Sequence, residues 1–294
     1  MKAILYYIFK ALNWLITLLP LGLLYFFSPL FYFILYYFPG YRKKIVMNNL
    51  RNSFPGKKDI ELKIISKKFY RHLADLFIEV LKLQHMSSRS IKKRYKVLNP
   101  ELLDNLKKEG KSTIAVFGHY ANWEWIISLP LSLDYKCITV YKPLANKYFD
   151  RYFKKFRSQY GLELITMTQT GRTVFRYEKG GINTLLGLVA DQTPPNGEIQ
   201  YWTRFLNQET PVYLGIEKLS HKFNMAVVFF NIDKVKRGYY ELYAELISEN
   251  PVELEPYAVT ELHVRKLEEQ IRRRPELWMW SHRRWKHKKP DSHD

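Results

Sequence analysis

The chain carries a single cysteine in 294 residues. Cys137 lies in an apolar run, Cys137-Ile138-Thr139-Val140-Tyr141, so internal disulfides are excluded and nothing here needs a thiol. There is no Gly-x-Ser-x-Gly elbow and no cysteine beside a plausible base. Gly110-Lys111-Ser112-Thr113 has the ending of a Walker A loop, but position 105 is Asn105 and the segment precedes a strand, which removes a phosphate loop. His282 and His287 stand among Arg283, Arg284, Lys286, Lys288 and Lys289 with no further ligand at metal spacing, so neither a metal nor another cofactor is expected. No internal repeat or low-complexity linker divides the chain.

Acidic residues are few: 28 Asp and Glu face 47 Lys and Arg, a formal charge of +19 that points to anionic partners. Nucleic acid, phospholipid and phosphorylated glycolipid all qualify on charge alone. A hydrophobic content of 47% supplies a core for one large α/β domain or two small ones and excludes a disordered chain.

Charge is missing altogether between Ala11 and Tyr41, where Leu, Phe and Tyr dominate. Roughly 20 apolar residues suffice to span a bilayer core. The run is too long for a cleaved leader and ends in Phe38-Pro39-Gly40-Tyr41, so it reads as a retained membrane segment. Pro20 and Pro29 interrupt it, which leaves one kinked span or a re-entrant or interfacial segment. A buried helical hairpin of a soluble protein is the other reading. Arg42, Lys43 and Lys44 favour a cytoplasmic side for the domain behind them, although Lys2 and Lys10 weaken the asymmetry. The expected division is an anchor over residues 1–41 and a main domain over 42–294.

Behind the anchor, Asp59 to Leu83 carries Ile65, Phe69, Leu73, Leu76, Phe77 and Val80 at helical spacing. Short apolar runs then alternate with helical stretches. Strands are expected at Thr113 to Phe117, Cys137 to Tyr141, Leu162 to Thr166, Thr184 to Ala190, Met225 to Ile232 and Tyr239 to Ile247. Helices are expected at Lys147 to Tyr160, Arg172 to Lys179, Tyr213 to Lys222 and Val259 to Arg274. Lys236-Arg237-Gly238 joins the last two strands as a hairpin. The fold class is therefore α/β, a mixed, mostly parallel sheet flanked by helices, preceded by the hydrophobic membrane segment.

The segment most informative about chemistry is Ala115-Val116-Phe117-Gly118-His119-Tyr120-Ala121-Asn122-Trp123-Glu124-Trp125. It begins as a buried strand, breaks at Gly118 and offers Asn122 as the cap of a helix. His119 thus sits at the carboxyl end of a strand, where open α/β sheets place catalytic groups. On one straight helix His119 and Glu124 would lie about 140° apart. With the histidine in the loop and the acid in the first helical turn they can meet. A carboxylate bonded to one ring nitrogen fixes the tautomer and makes the other nitrogen a general base for a hydroxyl. A structural histidine near a helix start gives the same bare spacing.

Gly118-His119-Tyr120-Ala121-Asn122-Trp123-Glu124 resembles the His-x4-Asp/Glu motif of glycerolipid acyltransferases, in the Asn-Trp-Glu form of the bacterial lipid A biosynthesis (late lauroyl/myristoyl) acyltransferase family. Val140-Tyr141-Lys142-Pro143 with Asn146, Asp150, Arg151 and Arg157 is similar to a second block of that family. Ala190-Asp191-Gln192 with Phe205-Leu206 and Thr210-Pro211 is similar to a third. Pro275-Glu276-Leu277-Trp278-Met279-Trp280-Ser281-His282-Arg283-Arg284-Trp285-Lys286 resembles its C-terminal signature. Lys142 replaces the usual Arg, and Leu206-Asn207 a Phe-Gly pair.

The resemblance implies transfer of a fatty acyl chain from acyl carrier protein, or less often coenzyme A, to a hydroxyl of a lipid A precursor or related glycolipid. His119 would deprotonate the hydroxyl and Glu124 would orient His119. The setting would be the cytoplasmic face of the inner membrane, against anionic lipid and without nucleic acid. Asn122, Lys142, Arg151, Arg157, Arg172, Asp191 and Arg204 are candidates for binding the substrates, the cations for a thioester oxyanion or for phosphates. A lysophospholipid, aminolipid or other glycolipid acceptor is the rival within this chemistry. A membrane-tethered, non-enzymatic binder of anionic polymer, using the basic tail with Trp278, Trp280 and Trp285, is the rival outside it.

Overall fold

The computed structural model describes residues 2–38 and 40–290, with side chains from Tyr6 onward. Pro39 and the side chain of Lys2 lie outside the described residues. In chain order, α1 (Lys2–Leu18), α2 (Leu21–Leu24) and α3 (Ser28–Tyr36) lead into α4 (Lys43–Ser53), α5 (Asp59–Lys82), α6 (Ser88–Arg94), β1 (Tyr95–Val97) and α7 (Pro100–Lys108). Then come β2 (Thr113–Phe117), β3 (Lys136–Val140), α8 (Lys147–Arg157), β4 (Glu163–Ile165), α9 (Thr170–Lys179) and β5 (Thr184–Val189). A two-stranded hairpin of β6 (Tyr201–Phe205) and β7 (Gln208–Val212) precedes α10 (Gly215–Phe223), β8 (Ala226–Lys236), β9 (Tyr239–Ser248) and α11 (Ala258–Arg273).

The main sheet has seven strands in the order β1-β9-β8-β2-β5-β3-β4. Within it β8 and β9 pair antiparallel and the other neighbours parallel. The mixed, mostly parallel α/β sheet expected from the alternating runs is thus observed. β2 is buried at every position, as a parallel strand covered on both faces must be. It lies between β8 and β5, so the histidine loop after it opens from the middle of the sheet.

The N-terminal run differs from a single kinked span. Among the described residues no one helix is long and apolar enough to cross a membrane; Tyr6–Leu18 and Leu21–Tyr36 together have the length and composition but are bent by 117°. The break falls at Pro20, which has no N–H to continue the ladder and disfavours helix in the residue before it. Pro29 lies in the first turn of α3, where proline is tolerated.

These helices present two faces. Phe26 is 86% exposed, and Leu23, Leu30 and Phe33 are each more than half exposed. The opposite face carries Asn13, Thr17, Tyr25 and Ser28, and these four find partners on α5 or just beyond it. Asn13 donates to Gln84, Thr17 Oγ1 lies 2.7 Å from His85 Nδ1, Tyr25 donates to Glu79 and Ser28 donates to Asp75.

Candidate active site

Strand register brings the chemistry together. β2 and β5 are parallel neighbours with Phe117 opposite Val189, and Ala190 N–H donates to the Phe117 carbonyl at 3.0 Å. Two residues beyond this pair, each strand's loop carries an ionisable side chain: His119 after β2 and Asp191 after β5. Their Nδ1 and Oδ1 atoms are 2.6 Å apart. Gly118 permits the approach, because a Cβ there would lie 2.7 Å from Leu267 Cδ1 and 3.3 Å from Asp191 Oδ2.

Every acceptor site of Asp191 nearest the loop is used. Its Oδ2 accepts the His119 backbone N–H at 2.8 Å and the Trp278 indole N–H at 2.7 Å. The residue is 4% exposed. Burial alone pushes its carboxyl up, but the His119 ring and these N–H donors reverse that and hold it down to about 2. Asp191 is therefore ionised. Burial likewise pushes the His119 ring down, while the Asp191 charge and hydrogen bond, helped by the more distant Glu124, bring the net shift above the ordinary histidine value.

An ionised Asp191 can only accept, so the proton of neutral His119 sits on Nδ1 and the lone pair on Nε2. Gln192 Nε2 lies 3.1 Å from that nitrogen and donates to it. Gln192 is exposed and shares with His119, Asp191, Arg42, Met279 and His282 the wall of an open pocket of about 190 Å³. His282 is neutral there, since burial lowers it to about 4. The proton-accepting nitrogen thus faces space in which a hydroxyl can replace the Gln192 amide.

Glu124 is not the acid on the ring. Its carboxylate is held by Arg157 of α8 in a two-point pair, Nη2 to Oε1 at 2.7 Å and Nε to Oε2 at 3.1 Å. A permanently charged guanidinium with a matching fork outcompetes a neutral imidazole for a carboxylate. Ala121 adopts φ 51°, a left-handed conformation that costs a non-glycine residue about 1–2 kcal/mol, and the next helix, Trp123–Leu131, is of the tighter 3-10 type.

Asn122 caps that helix as the sequence indicates, accepting from Trp125 N–H at 3.2 Å. It is fully buried and bonded to Glu79, so it does not face the pocket as a substrate-binding residue would. Among the cations proposed for the site, Arg157 alone is tied to the histidine loop. Lys142, Arg151, Arg172 and Arg204 are exposed, and their side chains make no hydrogen bond or ion pair among the described residues.

Trp278 and Gln192 were not singled out as site residues by sequence reasoning. Trp278 belongs to the aromatic C-terminal segment, which returns across the site: Tyr120 and Trp278 form an antiparallel bridge and Met279 N–H donates to the His119 carbonyl at 3.1 Å. A tryptophan buried at 1% exposure needs a partner for its indole N–H, and Asp191 is that partner.

A histidine with a buried acid behind it and a ring lone pair toward the pocket, met only by the exposed Gln192 amide, at the carboxyl end of a parallel strand, is equipped to take a proton from a hydroxyl. Such an arrangement suits group transfer to or from an alcohol. The chain belongs to the bacterial lipid A biosynthesis acyltransferases, whose family model matches residues 1–287. No curated protein matches it. Membership makes it an acyltransferase whose acceptor is of the lipid A type.

Proposed function

We propose that the protein moves a fatty acyl chain from acyl carrier protein to a hydroxyl of a lipid A precursor, with His119 as general base and Asp191, rather than Glu124, as its orienting acid. The observation that carries this reading is the 2.6 Å bond from His119 Nδ1 to Asp191, which leaves the Nε2 lone pair facing the pocket. The acceptor hydroxyl gives its proton to Nε2 as its oxygen attacks the thioester carbon. Collapse of the tetrahedral intermediate breaks the carbon–sulfur bond, and the thiolate takes the proton back from His119. Asp191 stabilises the transient imidazolium. Glu124 fixes Arg157, leaving guanidinium N–H groups for an oxyanion or a phosphate.

The N-terminal helices fit a seat on the cytoplasmic face of the inner membrane. Their exposed Leu and Phe residues would enter the leaflet, and Arg42, Lys43 and Lys44 would meet anionic headgroups. In this arrangement residues 1–41 are the anchor and 42–294 the catalytic domain.

The test is direct transfer. The purified full chain, given acyl carrier protein charged with a fatty acid and a lipid A precursor, should yield a product heavier by one acyl chain in the mass spectrum. Acylation of a lysophospholipid or an aminolipid instead, with the lipid A precursor untouched, would overturn the acceptor. Transfer from acyl-coenzyme A alone would overturn the donor.

A further inference from the structure

Two chains of buried and half-buried polar groups run from the N-terminal helices to the residues just after His119. In the first, Tyr25 donates to Glu79 Oε1 at 2.6 Å, and Glu79 Oε2 accepts from Asn122 Nδ2 at 2.7 Å and from Tyr240 at 2.7 Å. Glu79 is wholly buried. In the second, Ser28 donates to Asp75 at 2.6 Å, the Lys234 ammonium lies 3.5 Å from Asp75 and 3.3 Å from His72 Nδ1, and His72 Nε2 donates to the Ala121 carbonyl at 3.1 Å. His72, Asp75 and Glu79 share one face of α5. The chains end on neighbouring residues, one of them the left-handed Ala121.

The start of each chain is equally specific. Tyr25 and Ser28 are the inward residues of a segment whose outward residues, Phe26, Phe27 and Leu30, are exposed. A Cβ on Gly238, in the β8–β9 turn, would lie 2.5 Å from the Tyr25 hydroxyl, and Arg237 stacks 4.1 Å over the Tyr25 ring. An anchor that served only as a tether would need none of these contacts.

The geometry points to a second role for the N-terminal helices: Tyr25 and Ser28, acting through Glu79 and through Asp75, Lys234 and His72, hold Ala121 and Asn122 in place and so position His119 against Asp191. The four α5 and β8 groups are positioning residues, since none lines the pocket. The inference rests on the reading of His119 as the base. Because Asp191 hangs from β5 and His119 from the loop, loosening the loop lengthens their bond. That weakens the base and lets its pKa fall back, against the remaining charges of Glu124 and Arg157, with His282 neutral beside it.

The experiment uses the full chain in detergent micelles, where tethering no longer matters, and measures the pH dependence of acyl transfer. Y25F/S28A should lower kcat about 10-fold or more with little change in KM, and its acid limb should move to lower pH. Glu79→Gln should act likewise, because one amide oxygen cannot accept from Tyr25, Asn122 and Tyr240 as the two carboxylate oxygens do. Glu79→Gln with Asn122→Asp exchanges donor and acceptor and should recover most of the loss. Wild-type kcat in Y25F/S28A, a lower rate with an unmoved limb, or a swap no better than Glu79→Gln alone would each overturn the inference. Full activity of His119→Ala in the same assay would instead overturn the reading beneath it.

Discussion

His119→Ala should lower kcat for acyl transfer by about 10²–10⁴-fold, the usual contribution of a positioned general base. KM for both substrates should change little, because proton transfer is an interaction of the transition state and not of the bound ground state. The variant should fold. His119 is 20% exposed at its side chain, and its backbone N–H still serves Asp191 Oδ2 with the Trp278 indole. The loss confined to Asp191 Oδ1 is one charge-assisted hydrogen bond, worth about 1.5–3 kcal/mol, which thermal unfolding reads. Steady-state rates at several acceptor concentrations separate the two parameters. A KM effect with kcat intact would assign His119 to binding.

Asp191→Asn tests the acid by changing its hydrogen-bond polarity without changing its size. The amide's NH₂ presents a donor to Nδ1 where the carboxylate accepted, so the ring proton moves to Nε2 and the base loses its lone pair. We expect kcat to fall about 10²–10⁴-fold, comparable to removal of the ring, since base and orienter act as a unit. The pH profile carries the second signature. Asp191 raises the His119 pKa, so wild-type activity falls as pH drops through a value above the ordinary 6.5. Residual activity of Asp191→Asn should persist to lower pH.

Stability obeys the same linkage. Asp191 is held down to about 2 from 3.8, so its contribution is complete above the ordinary carboxylate range and is lost as pH falls toward 2. The raised His119 contributes below its unfolded value and loses that contribution as pH rises through the folded one. Acid unfolding of Asp191→Asn should lack the first component. Equal kcat in Asp191→Asn and wild type would return the orienting role to another group.

The strands were legible because short β-branched and aromatic runs bounded by polar stretches bury their side chains best in a covered sheet, and Thr113–Phe117 and the β8–β9 hairpin lie where the pattern puts them. The strand end carrying His119 was legible for the same reason. Its partner was not. Asp191 stands 72 residues from His119, and only the neighbouring of β2 and β5 in register brings them together. Glu124 was the nearer acid in sequence and lost the ring to Asp191 because Arg157, 33 residues away, claims it. No local pattern ranks such competitors.

The N-terminal run was legible as apolar, while the partners of its few polar side chains were not: Asn13 and Thr17 before the bend and Tyr25 and Ser28 after it meet residues of α5 or just past it, 47–71 positions away. The β6–β7 hairpin escaped notice because its turn is Leu206-Asn207, both at positive φ, and only the asparagine signals that conformation.

The measurement closest to the central claim is the mass of lipid A from cells lacking this gene, complemented with the wild-type or the His119→Ala sequence. The account predicts lipid A short of one acyl chain without the gene, restored by wild type and left short by His119→Ala at equal protein level. Lipid A of unchanged mass in the deletion strain, or full restoration by His119→Ala, would contradict it.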